Sequence, residues 1–167
     1  MSAIRPMIAA DKPPVMTLLR QTRFFTEEEI QVAEELIDLY LNDGRQTDYR
    51  LVVIEHEQTV AGYLCYGPTP LTQGTFDLYW IAVSPDFQGH GLGTQLLSWL
   101  ENKVQEEHGR LVLIETSSQE KYQATRAFYL KARYQECARI ADFYQPGDDR
   151  IIYVKYLEQN GSMKPNG

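Results

Sequence analysis

Residues 81–100, IAVSPDFQGHGLGTQLLSWL, limit the architectures open to this chain more than any other stretch. An apolar run breaks at Ser84-Pro85, three glycines follow at alternating positions, and an amphipathic pattern then begins at once. Three glycines in five residues cost chain entropy, so something must need a bare backbone there. Between a strand and a helix, the first helical amides lack intrahelical partners and the positive end of the helix dipole stands behind them. Such a turn favours a phosphate, and Gly89, Gly91 and Gly93 carry no side chains to hold one away. A pyrophosphate is the expected guest. The segment lacks the GK[ST] ending of a nucleotide-triphosphate loop, and its G-x-G-x-G spacing lies mid-chain. A dinucleotide site would usually occupy the first strand–helix turn.

The runs on either side set the fold class. AIRPMIA predicts a short first strand, with Pro6 favouring an edge position. Asp11 is expected to cap a helix that opens on Pro13-Pro14 and carries Val15, Leu18 and Leu19. Thr26 and Glu29 read as a capping box for a second helix, whose apolar positions Ile30, Ala33, Ile37 and Tyr40-Leu41 recur at helical spacing up to Gly44. YRLVVIEH, TVAGYLCYG and TFDLYWIAV are strand candidates, the first two joined by a short polar link that suits a hairpin. Leu92, Leu96, Leu97, Leu100 and Val104 mark the helix after the glycines. RLVLIET then predicts a strand, KYQATRAFYLKA a helix, and the last run two strands around the turn QPGDD. The strand–helix–strand unit over 75–116 predicts a parallel right-handed crossover beside an antiparallel meander. The expected class is α/β with a mixed sheet, as one domain over 1–157 followed by a flexible tail over 158–167.

Composition enters where partners are concerned. A net charge of −7 without any lysine or arginine run argues against a nucleic-acid partner, which needs a clustered basic surface. An acidic chain more naturally attracts cationic small molecules or basic peptides. The N-terminus has no apolar core of signal-peptide type, and no stretch approaches the ~18 apolar residues of a membrane span. Cys65 and Cys137 fall in apolar strand-like runs and read as buried free thiols, compatible with a reducing cytoplasm. The expected protein is soluble and cytoplasmic, with no membrane partner. His56, His90 and His108 show no metal-ligand spacing, and no metal is expected.

QGHGLG at 88–93, preceded by an apolar strand and VSP, resembles the Q/R-x-x-G-x-G/A acetyl-CoA loop of the GNAT superfamily of N-acetyltransferases. ATRAFYLKARY is similar to that family's A…FY…GF helix and following strand, and the resemblance covers roughly residues 3 to 157. It implies a central mixed sheet of about seven strands, splayed between the fourth and fifth, with about four helices. It implies acetyl-CoA as co-substrate, with the backbone of Gln88, Gly89, His90, Gly91, Leu92, Gly93 and Thr94 holding the pyrophosphate. Ile81, Ala82 and Val83 would pair with the pantetheine arm, the Val83 amide donating to the thioester oxygen. Tyr129 falls on the family's tyrosine that protonates the leaving thiolate, while Phe128 reads as core. Two carboxylates compete as the base that takes the amine's proton. Glu115 resembles the glutamate of ribosomal-protein N-terminal acetyltransferases, and Asp77 the base position of histone-type members. Glu115 is preferred as the longer reach. A carboxylate inside an apolar strand also needs a partner, so pairing with an arginine or an amide is the structural alternative for both. Tyr122 stands where many members have an asparagine that orients the pantetheine, and Arg133-Tyr134 replaces the usual Gly-Phe. The spacing from Glu115 to Tyr129 is about two residues longer than in ribosomal-protein members.

The acceptor region expected from the resemblance is acidic, with TEEE, Glu34, Glu35, Asp38, Asp142 and Asp148-Asp149, and Phe24, Phe25, Tyr66, Tyr79 and Tyr144 as candidate walls. The expected reaction moves an acetyl group to a primary amine of a small cationic molecule. ADFYQPGDDRIIYVK somewhat resembles the YY…G.DA region of protein N-terminal acetyltransferases, which keeps a peptide α-amine as the alternative acceptor. A non-catalytic acyl-CoA sensor is the reading from another class. Homodimerisation is compatible with the pattern, which identifies no interface.

Overall fold

Helix and strand starts follow the local chemistry closely. In the computed structural model, which describes residues 1–158, the elements run β1 (Ser2–Pro6), α1 (Lys12–Thr22), α2 (Glu27–Asn42), β2 (Arg50–His56), β3 (Thr59–Pro68) and β4 (Thr75–Val83). They continue with α3 (Leu92–Glu106), β5 (Leu111–Ser117), α4 (Gln123–Lys131), β6 (Gln135–Gln145) and β7 (Asp148–Tyr156). Thr26 Oγ1 accepts from the Glu29 amide at 3.2 Å and Glu29 Oε2 accepts from the Thr26 amide at 2.7 Å, so the capping box forms reciprocally. Asp11 lies at the N-cap of α1 but does not cap it. Its carboxylate takes Arg5 Nη1 at 2.7 Å, Arg5 Nη2 at 2.9 Å and the Ile8 amide at 2.8 Å. From residue 159 onward, the tail expected over 158–167 lies outside the described residues.

The seven strands form one sheet in the order β1-β2-β3-β4-β5-β7-β6, with β4–β5 parallel and every other pair antiparallel. Two apolar layers cover it. Val15, Leu18 and Leu19 of α1 and Ile30, Ala33 and Ile37 of α2 pack on one face with Tyr63 and Cys65. Leu92, Leu96, Leu97, Leu100 and Val104 of α3 cover the other, together with Tyr129 and Tyr134. The α3 stripe is the one that its leucine spacing predicts.

Two departures from regular geometry shape the middle of the sheet. Parallel pairing of β4 with β5 stops at Leu78 opposite Ile114, and beyond it the strands diverge. At the same level β4 carries one extra residue. Cys65 faces Trp80 and Tyr66 faces Leu78, which leaves Tyr79 as a β-bulge. The consequence is a change of face. Phe76 and Leu78 lie in the α3-side layer, whereas Trp80 and Ala82 lie in the α1–α2 layer, so the bulge inverts the alternation midway along one strand.

Two expectations are corrected. Cys137 is exposed, not buried, because β6 is an edge strand and Cys137 sits at its bulge between Glu136 and Ala138. Tyr66 does not line the acceptor region. It is buried on the α3 side, edge-on to Trp99 with ring centroids 5.9 Å apart.

Candidate active site

The glycine turn adopts a backbone conformation that its composition favours. Gly89 and Gly91 have φ of +83° and +73°, a region that residues with a Cβ enter at a cost. Gly91 is the N-cap of α3, and among the described residues the amides of 89–94 donate to no protein acceptor. Six successive donors at a helix N-terminus form a cradle for a diphosphate. The Gln88 amide turns instead to the Pro85 carbonyl at 3.4 Å. His90 lies off the cavity wall, its ring centroid 5.2 Å from that of His56 and 6.5 Å from that of Phe87.

The end of β4 leads from this cradle into the sheet. The Ser84 amide donates to the Ala61 carbonyl of β3 at 2.7 Å. Strand alternation therefore turns the polar backbone groups of Val83 and Ile81 away from β3, toward the side where β5 has diverged. Those of Ala82 face β3. The main-chain groups of Ile81 and Val83, not those of Ala82, are thus the ones turned toward a further strand-like partner.

A cavity of about 880 Å³ joins the cradle to the gap between β4 and β5 and continues onto the α1–α2 face. It is lined by every residue singled out from the sequence for catalysis or cofactor binding except His90. Tyr129 is buried in its wall, ring to ring with Tyr153 at 6.0 Å and Tyr134 at 6.2 Å. Burial, with the neighbouring Tyr153, pushes its phenol well above the usual range, so the hydroxyl stays protonated. Glu115 is the first residue of β5 past the last pairing with β4, at the fork itself. Its carboxylate is ion-paired with Arg150, whose guanidinium stands 4.9 Å over the Phe143 ring. Asp77 lies one pairing inside the fork, opposite Leu113. Its Oδ2 accepts from Thr69 Oγ1 at 2.6 Å and from the Tyr79 hydroxyl at 3.4 Å.

Tyr122, expected at a pantetheine-orienting position, lines the cavity beside Phe24. Its hydroxyl donates to the Phe24 carbonyl at 3.2 Å, and Lys121 Nζ donates to the same oxygen at 2.8 Å. The connection between α1 and α2 is thereby tied to the segment after β5. Burial first, and then the charges of Glu29 and Asp148, push the Tyr122 hydroxyl up to about 12. Phe24, Phe25, Tyr79 and Tyr144 line the same cavity. Trp80, Ser117 and Gln119 also line the cavity and were not singled out from the sequence. The polar run TSSQ directly after an apolar strand is the signal that marks the last two. Among the described residues, no group of three His, Cys, Asp or Glu side chains is placed to hold a metal ion. No helix among them is long and apolar enough to cross a membrane.

Comparison with known proteins identifies the family. The family model of the acetyltransferase (GNAT) family matches residues 14–133. A crystal structure of a GNAT-family protein from Desulfovibrio desulfuricans is 43% identical, with a TM-score of 0.91 over 95% of this chain and 100% of that one. The ribosomal-protein-S18-alanine N-acetyltransferase from Escherichia coli shares the fold at 21% identity and TM-score 0.75, over 96% and 97% of the two chains. A GNAT family acetyltransferase from Elizabethkingia anophelis with acetyl-CoA bound shares it at 17% and 0.70, over 93% and 98%. No curated protein matches. An amide cradle before α3, a bulged β4 and a forked sheet stand together with a family model spanning most of the chain: this protein belongs to the GNAT family of acetyltransferases.

Proposed function

We propose that this acetyltransferase moves the acetyl group of acetyl-CoA to a primary amine on a small cationic molecule, by direct transfer. The observation that carries the reading is the single cavity that connects the 89–94 amide cradle, through the fork at Glu115, to an acidic and aromatic recess. Bound acetyl-CoA would supply the activated acyl carbon. The remaining work falls to this chain. The amides of 89–94 hold the diphosphate, and the backbone of Ile81 and Val83 aligns the pantetheine, with the Val83 amide donating to the thioester oxygen. Glu115, at the fork, receives the amine's proton through water, and the pairing with Arg150 balances its charge. Asp77 is the second candidate for that role. Tyr129 gives a proton to the departing thiolate; its buried hydroxyl is held in the protonated form ahead of that step.

The bridge from Lys121 and Tyr122 to the Phe24 carbonyl supports a small acceptor over an extended peptide, because it ties the two walls together. The test uses the full chain with acetyl-CoA and a panel of matched cationic and neutral primary amines plus short peptides. Cationic amines are expected to be acetylated fastest. Tyr129→Phe should lower kcat by about 100-fold or more while calorimetric binding of CoA persists. Equal rates for parent and variant, or no heat of association with acetyl-CoA, overturn the assignment.

A further inference from the structure

Among the described residues two acids are buried, Asp11 and Asp148, and they are treated differently. Asp11 is paired with Arg5. Asp148, only 4% exposed, has no lysine or arginine partner among the described residues. Its Oδ1 accepts from Ser117 Oγ at 2.5 Å and its Oδ2 from Gln119 Nε2 at 2.8 Å, both uncharged donors. A buried carboxylate without a compensating cation is costly, and the fold has not let it turn out to solvent. The turn that carries it is fastened to the end of β5 by the Ser118 amide on the Asp149 carbonyl at 3.0 Å and the Asp149 amide on Ser118 Oγ at 2.7 Å.

The nearby cations are engaged elsewhere. Arg126 Nη1 donates to the carbonyls of Ser117 and Gln119, both at 2.8 Å. Lys121 reaches the Phe24 carbonyl, Arg150 pairs with Glu115, and Arg139 pairs with Glu136 and Asp149. Asp148 instead faces the cavity, whose acceptor end it lines with Glu29, Tyr122, Tyr144 and Phe24. Glu29 comes from the first turn of α2. The two carboxylates act together on both tyrosines, whose hydroxyls are raised chiefly by burial and further by these charges. Two carboxylates and three aromatic faces around one recess suit an alkylammonium or guanidinium group.

The nitrogen that attacks the thioester must be neutral when it does so, so it cannot also be the lasting counter-ion of Asp148. We infer that Asp148, with Glu29 of the same cavity, binds a second cationic nitrogen of the acceptor and thereby selects substrates carrying two positive groups. This rests on the acetyl-transfer reading of the cavity. Asp148 is bonded to Ser117, two residues beyond Glu115 on β5, which places the second nitrogen about 7 Å from the level of the fork. A linear diamine with roughly four to six carbons between its nitrogens spans that distance.

The experiment compares a five-carbon α,ω-diamine with the amino alcohol of equal length, using the full chain and acetyl-CoA. The parent should favour the diamine by about tenfold or more in kcat/KM, mainly through KM. Asp148→Asn should bring that ratio close to one whatever the absolute rates. Glu29→Gln, which keeps the acceptor oxygen of the capping box, should lower the ratio several-fold and guards against misfolding of the first variant. Calorimetric titration of the diamine into CoA-loaded protein supplies a readout independent of chemistry. Diamine binding that weakens about tenfold in Asp148→Asn supports the subsite even where no amine is acetylated, an outcome that removes the transfer reading alone. A parent that does not discriminate the two acceptors, or variants that keep the parent's ratio and diamine affinity, overturn the inference.

Discussion

Asp11 illustrates what a local pattern shows and what it leaves out. Its position before Pro13-Pro14 predicts a helix cap, yet the carboxylate joins β1 to the helix start through Arg5 and the Ile8 amide. The pairing with Arg5 holds Asp11 below the ordinary carboxylate value of 3.8. A group depressed in the folded state contributes stability above its unfolded value, and that contribution is lost as pH falls through the folded one. Denaturation measured across a pH series should show stability falling below about pH 4. Asp11→Asn should cost about 2 kcal/mol near neutrality and flatten the acid limb. An acid limb identical in the variant removes Asp11 from the account. The Thr26–Glu29 box was legible because both of its bonds span three residues. Asp148 was legible only as an acid near the acceptor. Its isolation from cations depends on where Arg126, Lys121, Arg139 and Arg150 reach, which no spacing records.

The end of α4 shows the same division one level up. The family pattern has glycine where this chain has Arg133, and Arg133 adopts φ of +70° while remaining exposed. Its amide closes the helix on the Leu130 carbonyl at 3.0 Å, and Tyr134 then enters the core with its hydroxyl 3.1 Å from Glu101 Oε1. The turn therefore keeps the geometry that glycine would favour and carries strain in doing so. Arg133→Gly should raise stability by about 0.5–1 kcal/mol, read as a Tm higher by a few degrees. A lower Tm would mean that the arginine side chain contributes more than its backbone costs. Strand and helix positions were readable here because apolar periodicity dominates them. The bulge in β4 was not, because TFDLYWIAV alternates acceptably on paper, and the extra residue appears only against β3. Tyr66 and Tyr79, both assigned to the acceptor walls, divide between the α3-side core and the cavity: Tyr66 follows the regular alternation of β3 beside Leu64, whereas Tyr79 is the bulge residue itself.

Across the whole molecule, order and charge were the legible quantities. The sequence of runs and the glycine turn specify a mixed sheet with one parallel crossover, and the sheet has that form. How far two parallel strands stay paired depends on packing around both, so the fork could be inferred only through the family resemblance. A net charge of −7, with Glu29, Asp77, Glu115 and Asp148 on one cavity, should draw cationic acceptors inward. Raising salt from about 10 to about 200 mM should increase KM for a cationic acceptor several-fold and leave KM for a neutral one nearly constant. Parallel changes for both would remove long-range attraction from the mechanism. The odd residue of β4 has a further consequence for how such a chain can diversify. Side chains can drift one at a time, whereas losing or gaining a single codon between Leu78 and Trp80 would exchange inside for outside over the strand's second half. Exchanges of side chain on α2 and in the hairpin turn therefore leave the two layers intact, whereas a change in the length of β4 does not.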